Sequence, residues 1–255
     1  MTLRIASLVP SVTELVVALG LAERLVARTG FCIHPRQALL SVPKVGGTKD
    51  ANLAKLRRLA PTHVIVNVDE NRLDTVDALR QFVPSLIVTH PCAPEDNLSL
   101  IDQLAAAFDA EPGVRERAAA LRAAFAFELA STRPEDFAPC EVLYLIWHQP
   151  WMTVARDTYI SRLLARVNWH SWPARGGGDH GAARYPALDG SEPGLGAVRR
   201  VLLSSEPFRF GAEHLAAAQA LCPQARVQAV DGELLSWYGP RALDGLRYLR
   251  QLAAG

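Results

Sequence analysis

The stretch Leu3-Arg-Ile-Ala-Ser-Leu-Val-Pro-Ser-Val-Thr-Glu14 decides the fold, because it predicts one strand followed directly by one helix. Leu3–Val9 is predicted to be a buried strand that Pro10 ends. Ser11 is predicted to cap a helix over Val12–Leu19, with Gly20 placed to end it. Since the β-α unit starts at once, no room is left for the basic and apolar regions of a signal peptide, and the sequence predicts a cytoplasmic location.

The same alternation of apolar runs and helical patterns continues through the first half of the chain. Further strands are predicted at Leu25–Arg28, His63–Asn67 and Leu86–Thr89, and further helices at Leu53–Leu59, Leu73–Phe82 and Asn97–Phe108. Alternating strands and helices are typical of βαβ units and parallel sheets.

A longer helical segment, Val114–Ser131, separates the two halves. It contains no Gly or Pro, and one apolar stripe runs along it at Val114, Ala118, Leu121, Phe125 and Leu129. At 1.5 Å per residue its length is ~27 Å. An ordinary surface helix and a rigid helix that joins two domains both fit this pattern.

The strand-helix pattern restarts beyond Pro139. Strands are predicted at Glu141–Trp147, Arg200–Ser204 and Arg226–Val230, helices at Thr158–Val167, Ala212–Leu221 and Pro240–Leu252, and a long loop at Trp169–Pro186. The predicted fold is therefore α/β, with two Rossmann-like lobes that have central parallel sheets. The predicted segments are 1–110, a connecting helix at 111–134, and 135–255, with a ligand cleft between the lobes.

Composition excludes several classes of function. Lys and Arg number 27 against 26 Asp and Glu, and no basic run points to nucleic acid. No apolar stretch reaches the roughly 18 residues that a membrane span needs, so no membrane insertion is expected. The four cysteines form no CxxC pair, which argues against both a disulfide framework and a zinc site.

Candidate binding residues follow the predicted strand ends, where open α/β sheets bind ligands. They are Ser11, Phe31, His34, Gly47, Thr48, Asn67 and Asp69 in the first half, and Trp147, His148, Trp151, Glu206, Trp237 and Tyr238 in the second. Indoles at these positions suit a large, flat, partly apolar ligand, although they could also close the edges of each lobe. No metal-binding spacing, GxSxG elbow or P-loop is present, so no metal ligand and no catalytic residue is predicted.

Three segments carry a family resemblance: Ile5-Ala-Ser-Leu-Val-Pro-Ser-Val-Thr-Glu14, Val45-Gly-Gly-Thr-Lys-Asp-Ala-Asn-Leu53 and Leu59-Ala-Pro-Thr-His-Val-Ile65. They resemble the helical-backbone metal receptors, the class III periplasmic substrate-binding proteins of ABC transporters for siderophores, heme and cobalamin. The resemblance covers nearly the whole chain and is strongest to the cobalamin-binding branch. It implies two lobes on one rigid helix, a small-molecule ligand between them, no catalysis and no intrinsic cofactor. The ligand implied is a corrinoid or an iron chelate.

The chain also departs from that family. It shows no signal peptide, and the two glutamates that dock exported members on the permease correspond to Ala54 and a position near Ser236. The cleft tryptophan of the cobalamin protein corresponds to Thr48, whereas Phe31 keeps an aromatic ring. The preferred hypothesis is a non-catalytic cytoplasmic protein that binds a corrinoid or another metal chelate. An exported component of a siderophore or cobalamin transporter, and an enzyme acting on such a ligand, remain alternatives.

Overall fold

The computed structural model describes residues 2–255, which group into two compact units. The N-terminal unit comprises the chain up to Pro91, Asn97–Phe125 and Tyr238–Pro240. The C-terminal unit comprises Cys92–Asp96, Ala126–Trp237 and Arg241–Gly255. Each unit thus contains a short segment from elsewhere in the chain. The domain limits at residues 110 and 135 stay a prediction.

The N-terminal unit is built on a four-stranded parallel sheet. Its strands are β1 (Ile5–Ser7), β2 (Leu25–Arg28), β3 (His63–Asn67) and β4 (Ser85–Thr89), in the spatial order β2-β1-β3-β4. The helices are α1 (Pro10–Ala18), α2 (Leu53–Leu59), α3 (Leu73–Arg80) and α4 (Asp96–Ala107). Apolar side chains such as Ala6, Val64, Leu56 and Leu79 form its core, as expected for a parallel sheet covered by helices.

Helix α1 begins differently from the prediction. Val9 is the N-cap residue and makes no side-chain capping bond, while Pro10 is the first helical residue. Proline is favoured there because it has no N–H to leave without a partner. Ser11 therefore lies inside the helix and is buried, so the predicted Ser11 cap is wrong. Gly20 follows the helix with φ +82°, which agrees with its predicted role at the helix end.

The C-terminal unit contains a second parallel sheet. Its strands are β5 (Cys140–Leu145), β7 (Trp169–Ser171), β9 (Arg200–Ser204) and β10 (Arg226–Val230), in the order β10-β9-β5-β7. A small antiparallel pair is formed by β6 (Trp151–Met152) and β8 (Ala187–Leu188). The helices are α5 (Val114–Ala130), which begins in the N-terminal unit, and α6 (Tyr159–Ala165), α7 (Ala212–Leu221), α8 (Gly232–Ser236) and α9 (Arg241–Ala254). The predicted α/β class with parallel sheets in two lobes is confirmed.

The predicted loop at Trp169–Pro186 is wrong at its start. Trp169–Ser171 forms the edge strand β7, which pairs with β5 at Cys140, Glu141 and Val142. The strand has only three residues, too few for a periodic pattern to reveal it. Further along, the carboxylate of Asp157 accepts hydrogen bonds from the backbone N–H groups of Gly177 at 2.9 Å and Gly178 at 2.8 Å. These bonds hold the triple-glycine turn.

An ion cluster joins α5 to α9 within the C-terminal unit. The side chain of Glu128 is only 4% exposed and accepts from Arg247 Nε at 2.7 Å and from Arg250 at 2.8 Å. Burial raises the pKa of Glu128, but these guanidinium groups outweigh that effect and hold the pKa below its usual value. The carboxylate is therefore ionised near neutral pH, and the last helix is fixed by charge as well as by packing.

Candidate functional site

A glycine turn and an exposed ring lie at the carboxyl end of the N-terminal sheet. Gly46 has φ +104°, and its carbonyl accepts from Gly30 N–H at 2.7 Å. The N–H of Gly47 donates to Asp50 Oδ1 at 3.0 Å. A Cβ on Gly47 would lie 3.3 Å from Cε2 of Phe31, which is 62% exposed. Two predicted residues, Phe31 and Gly47, are thus brought together, with Thr48 next along the turn.

The helix that follows this turn begins where the sequence predicted. Helix α2 begins at Leu53, and the side chain of Asn52 caps it by accepting from Lys55 N–H at 2.8 Å. Helix α2 therefore has the predicted limits, Leu53–Leu59.

Two asparagines organise the loop after β3. The Oδ1 atom of Asn67 accepts from the backbone of Asp69 at 2.8 Å. Asn71 Oδ1 accepts from the N–H of Asn67 at 2.8 Å, while Asn71 Nδ2 donates to the carbonyl of Thr48 at 2.8 Å. Both asparagines are buried. Asn67, predicted to contact ligand, therefore shapes the loop that presents Asp69 and supports the Thr48 turn.

Asp69 has neighbours that the sequence analysis missed. Its backbone carbonyl accepts from Lys49 Nζ at 2.6 Å, and its Oδ2 lies 3.5 Å from His90 Nε2. His90 is the first residue after β4. The other candidates were selected because they follow a strand, and the same criterion would have selected His90.

Tyr238 belongs to the N-terminal unit, whereas the sequence analysis assigned it to the other lobe. It is buried, and its hydroxyl donates to Glu70 Oε1 at 2.5 Å. Burial, and then the charge of Glu70, raise the pKa of Tyr238 well above its usual value. Tyr238 and the buried Ser11 therefore expose little surface to a ligand.

His34 lines a groove of about 490 Å³ on the N-terminal unit. Exposed apolar side chains, Ile33 and Leu40, and the cationic Arg36 and Lys44 share its wall. The buried Arg28 stabilises the loop that forms this groove by donating to the Cys32 carbonyl at 2.9 Å.

Six rings gather at the carboxyl ends of β5 and β9 in the C-terminal unit. We call Trp147, His148, Trp151, Phe208, Phe210 and His214 the aromatic cluster. Ring centroids lie 5.4 Å apart for Trp147 and Phe208, 4.3 Å for His148 and Trp151, and 4.8 Å for Phe208 and Phe210. These distances suit edge-to-face and tilted packing. Trp147 remains 40% exposed.

The three predicted members, Trp147, His148 and Trp151, are therefore together, but half of the cluster was not predicted. Phe208, Phe210 and His214 follow β9, and His214 packs against both phenylalanines. Its Nδ1 accepts from the Gly211 N–H at 2.8 Å and lies 3.2 Å from Glu213 Oε1. Aromatic residues recur at 208, 210 and 214 after a predicted strand, and this pattern could have identified them from the sequence.

Glu206 and Trp237 are bonded to each other rather than open to solvent. Glu206 Oε1 accepts from the indole N–H of Trp237 at 2.7 Å and from the hydroxyl of Ser236 at 2.8 Å. Trp237 is 9% exposed, with the guanidinium of Arg241 5.2 Å from its ring. Burial raises the pKa of Glu206 despite these two donors. Both residues therefore stabilise the loop after β9 in the observed arrangement.

Metal-binding and membrane-spanning features are lacking in residues 2–255. No group of three or more His, Cys, Asp or Glu side chains there could hold a metal ion, and no disulfide joins the cysteines within that range. No described helix combines the length and apolar character needed to cross a bilayer.

Residues 5–187 match the model of the family described as periplasmic binding protein. The chain belongs to the periplasmic binding protein family. Its members bind solutes rather than transform them, so the predicted non-catalytic binding role is confirmed. Among curated protein sequences none is significantly similar to the chain.

Solved structures of periplasmic binding proteins have the same fold. The vitamin B12 binding protein BtuF of Vibrio cholerae is 20% identical, with a TM-score of 0.81 over 98% of this chain and 96% of that one. The heme binding protein HutB of Vibrio cholerae is 25% identical, with a TM-score of 0.78 over 98% of both chains. The heme-binding protein RhuT of Roseiflexus sp. RS-1, in apo form, is 21% identical, with a TM-score of 0.76 over 99% and 100% of the two chains.

The family contradicts the predicted cytoplasmic location. The matching model and all three of these structures are of periplasmic proteins. The prediction was wrong because it depended on how soon the first strand follows Met1, and the first residue of a sequence carries no information about where the protein resides.

Proposed function

We propose that the chain binds a flat metal chelate, a corrinoid or a heme-like tetrapyrrole, and delivers it to an ABC permease. Similar structures are those of proteins that bind vitamin B12 and heme. The aromatic cluster carries the proposal, because rings packed edge-to-face and tilted, with one indole still partly exposed, are suited to the face of a large conjugated ligand.

The proposed contact residues are those that combine exposure with a position at a strand end. Trp147 and His148 of the C-terminal unit and Phe31 and Asp69 of the N-terminal unit are at least partly exposed and follow strands. Two further residues are partly exposed next to them, Trp151 at the start of β6 and Thr48 in the Gly46 turn. His34 is also a candidate contact residue, because it lines the groove of the N-terminal unit. Ser11, Asn67, Glu206, Trp237 and Tyr238 act as supports instead, since each is largely enclosed or bonded internally. The metal is cargo that arrives within the ligand.

The test is titration of the protein with cyanocobalamin, cobinamide, hemin and a ferric siderophore, followed by calorimetry and absorbance. We expect one of the two tetrapyrrole classes to bind with a stoichiometry near one. Trp147→Ala should weaken that binding by about 10- to 100-fold, the range of an aromatic hot spot. Its ring is 40% exposed and its ring contact is with Phe208, so thermal stability should fall less than for removal of the Phe208 ring.

Phe127→Ala is the matched control. Phe127 is 69% exposed on α5, in the same unit but outside the cluster, so its removal should leave ligand affinity unchanged. Phe31→Ala should weaken binding by about tenfold. If no compound binds the wild type below about millimolar, or if Trp147→Ala and Phe127→Ala bind equally well, the proposed function is wrong.

We further propose that contact with the permease depends little on acidic side chains at the two expected positions. Ala54 is exposed on α2 and has no charge. The hydroxyl of Ser236 is engaged with Glu206 and with the Gly232 carbonyl. Electrostatic steering mainly sets the rate of association, so association through these positions is expected to be slow.

A further inference from the structure

The groove beside β2 combines apolar and cationic side chains within the N-terminal unit. Strand β2 is at one edge of the sheet, and its last residue, Arg28, forms a parallel bridge with Lys44. Ile33 is 48% exposed and Leu40 is 66% exposed, and both lie on the groove wall. Arg28, Arg36 and Lys44 line it as well. Its volume of about 490 Å³ is within the range of roughly 300–1,000 Å³ that is typical of ligand pockets.

The charge of Arg28 is buried without a counter-ion. Only 8% of the residue is exposed, yet no carboxylate of residues 2–255 forms an ion pair with it. Its hydrogen bonds go to backbone carbonyls, from Nε to Leu39 at 3.2 Å and from Nη1 to Cys32 at 2.9 Å and Thr29 at 3.3 Å. These bonds stabilise the loop but do not neutralise the charge. Because arginine is rarely buried without a charged partner, this arrangement indicates that an anion binds beside Arg28.

An anion in the groove can reach this guanidinium. The remaining nitrogen of Arg28, Nη2, makes no hydrogen bond to any residue in the described part of the chain. Some side-chain nitrogen and oxygen atoms of the described residues are fully enclosed and lack a partner, but none of them belongs to Arg28. Nη2 is therefore accessible, and the groove that Arg28 lines is where an acceptor can approach it.

Two further cations at the groove also lack a partner. The side chains of Arg36 and Lys44 are exposed, and neither makes an ion pair or hydrogen bond with a residue that the structure describes. The sequence from Arg24 to Lys49 contains no Asp or Glu, so this segment supplies no carboxylate of its own. The cationic side of the groove is thus left for an anion from outside the segment.

We propose that the groove binds a carboxylate carried on a short apolar chain. The carboxylate accepts charge-assisted hydrogen bonds from Arg28, Arg36 and Lys44, and the chain lies against Ile33 and Leu40. A small inorganic anion would leave the apolar wall in water, and an uncharged molecule would leave the buried charge of Arg28 without a counter-ion. The carboxylate belongs either to a free aliphatic acid or to a side arm of the chelate proposed above. Since a free acid binds without the chelate, this site and the proposed function can fail separately.

The test is titration of the ligand-free protein with sodium octanoate, followed through amide resonances by two-dimensional NMR. Octanamide has the same chain without the charge, and acetate has the charge without the chain. We expect saturable shifts at Ile33, Arg36, Leu40 and Lys44 with octanoate, and binding that is weaker by about tenfold or more for octanamide and for acetate. Octanoate that competes with hemin assigns the carboxylate to an arm of the chelate, whereas octanoate binding unaffected by hemin assigns it to a free acid.

The variants change the rim of the groove, because Arg28 also bonds the loop and its loss would affect folding. Arg36→Gln should weaken octanoate binding by about three- to tenfold. Its matched control is Arg80→Gln, which removes an exposed guanidinium from α3 in the same unit and should change the affinity by less than about twofold. Leu40→Ser should weaken octanoate binding by about threefold and leave acetate binding unchanged. Leu73→Ser, at a 71% exposed leucine on α3, is the control for it.

Three results would overturn the proposal. Octanoate that produces no saturable shift would mean that Arg28 only stabilises the loop. Octanamide that binds as tightly as octanoate would show that the groove recognises no anion, and acetate that binds as tightly would show that the apolar wall is not used. Equal weakening of octanoate binding by Arg36→Gln and Arg80→Gln would place the anion elsewhere on the surface.

Discussion

The loops at the carboxyl edge of each sheet are stabilised differently in the two units. In the N-terminal unit, Asn67 and Asn71 and the Gly46 turn connect the loops through directional hydrogen bonds to backbone groups. In the C-terminal unit, the loops after β5 and β9 meet through the rings of the aromatic cluster. A hydrogen-bonded edge depends on individual atoms, whereas a ring-packed edge depends on volume. The two edges should therefore respond differently to conservative substitution.

The largest effect is expected at Asn71. Asn71→Ala leaves the buried Asn67 N–H and the Thr48 carbonyl without their partner, which should lower the free energy of unfolding by about 2–4 kcal/mol. Asn71→Asp should recover only part of this loss, since Oδ1 remains and the Nδ2 donor is gone. Urea unfolding measures both. The neighbouring Arg72→Ala is the control, because its ion pair with Asp74 is exposed and should not matter. Equal midpoints for Asn71→Ala and Arg72→Ala would show that the edge is not held this way.

A somewhat smaller effect is expected at Phe208, whose ring contacts four other members of the aromatic cluster. Phe208→Ala should lower the free energy of unfolding by about 2 kcal/mol, below the usual range for a fully buried Phe because the residue is half-buried. Phe208→Leu keeps most of the volume and should recover more than half of that loss. The contrast between the two edges is lost if Asn71→Asp is tolerated as well as Phe208→Leu.

Glu206 should give the smallest effect, and one that depends on pH. Burial raises its pKa from the usual 4.5, so the folded state binds the proton more tightly than the unfolded state does. Stability from this group is therefore full at pH below 4.5 and falls as the pH rises through the raised value. Glu206→Gln keeps an oxygen acceptor for Ser236 and Trp237 without the charge. Its melting temperature should equal that of the wild type near pH 4 and slightly exceed it near pH 8. A variant less stable than wild type at pH 8 would contradict the raised pKa.

Much of the fold could be predicted because the chain marks its elements locally. Strands β2, β3, β9 and β10 and helix α2 have the predicted residue limits. Each is a short apolar or amphipathic run that contains no Gly or Pro. The edge strand β7 was missed because three residues are too few to show a period. The start of α1 was missed because Pro10 is its first residue, whereas the prediction began the helix at Val12.

The candidate site was predicted less well because position after a strand does not decide which way a side chain faces. Trp147 and Trp237 both follow strands, yet the first is exposed and the second donates its N–H to Glu206. That difference depends on a carboxylate 31 residues away in sequence, which no local pattern reveals. Similarly, Asn67 and Tyr238 could be selected as polar groups at an edge, but only the structure shows that their atoms are used internally.

Tyr238–Pro240 also bears on the order in which the protein can be made. This segment belongs to the N-terminal unit, where Gly239 N–H donates to Asn97 Oδ1 at 2.6 Å and Tyr238 is bonded to Glu70. Gly239 has φ +76°, and a Cβ there would lie 3.2 Å from the Ser11 carbonyl, so the segment fits closely against α1. A nascent chain on the ribosome therefore cannot complete its N-terminal unit until the segment Tyr238–Pro240, which follows most of the C-terminal unit, has been synthesised.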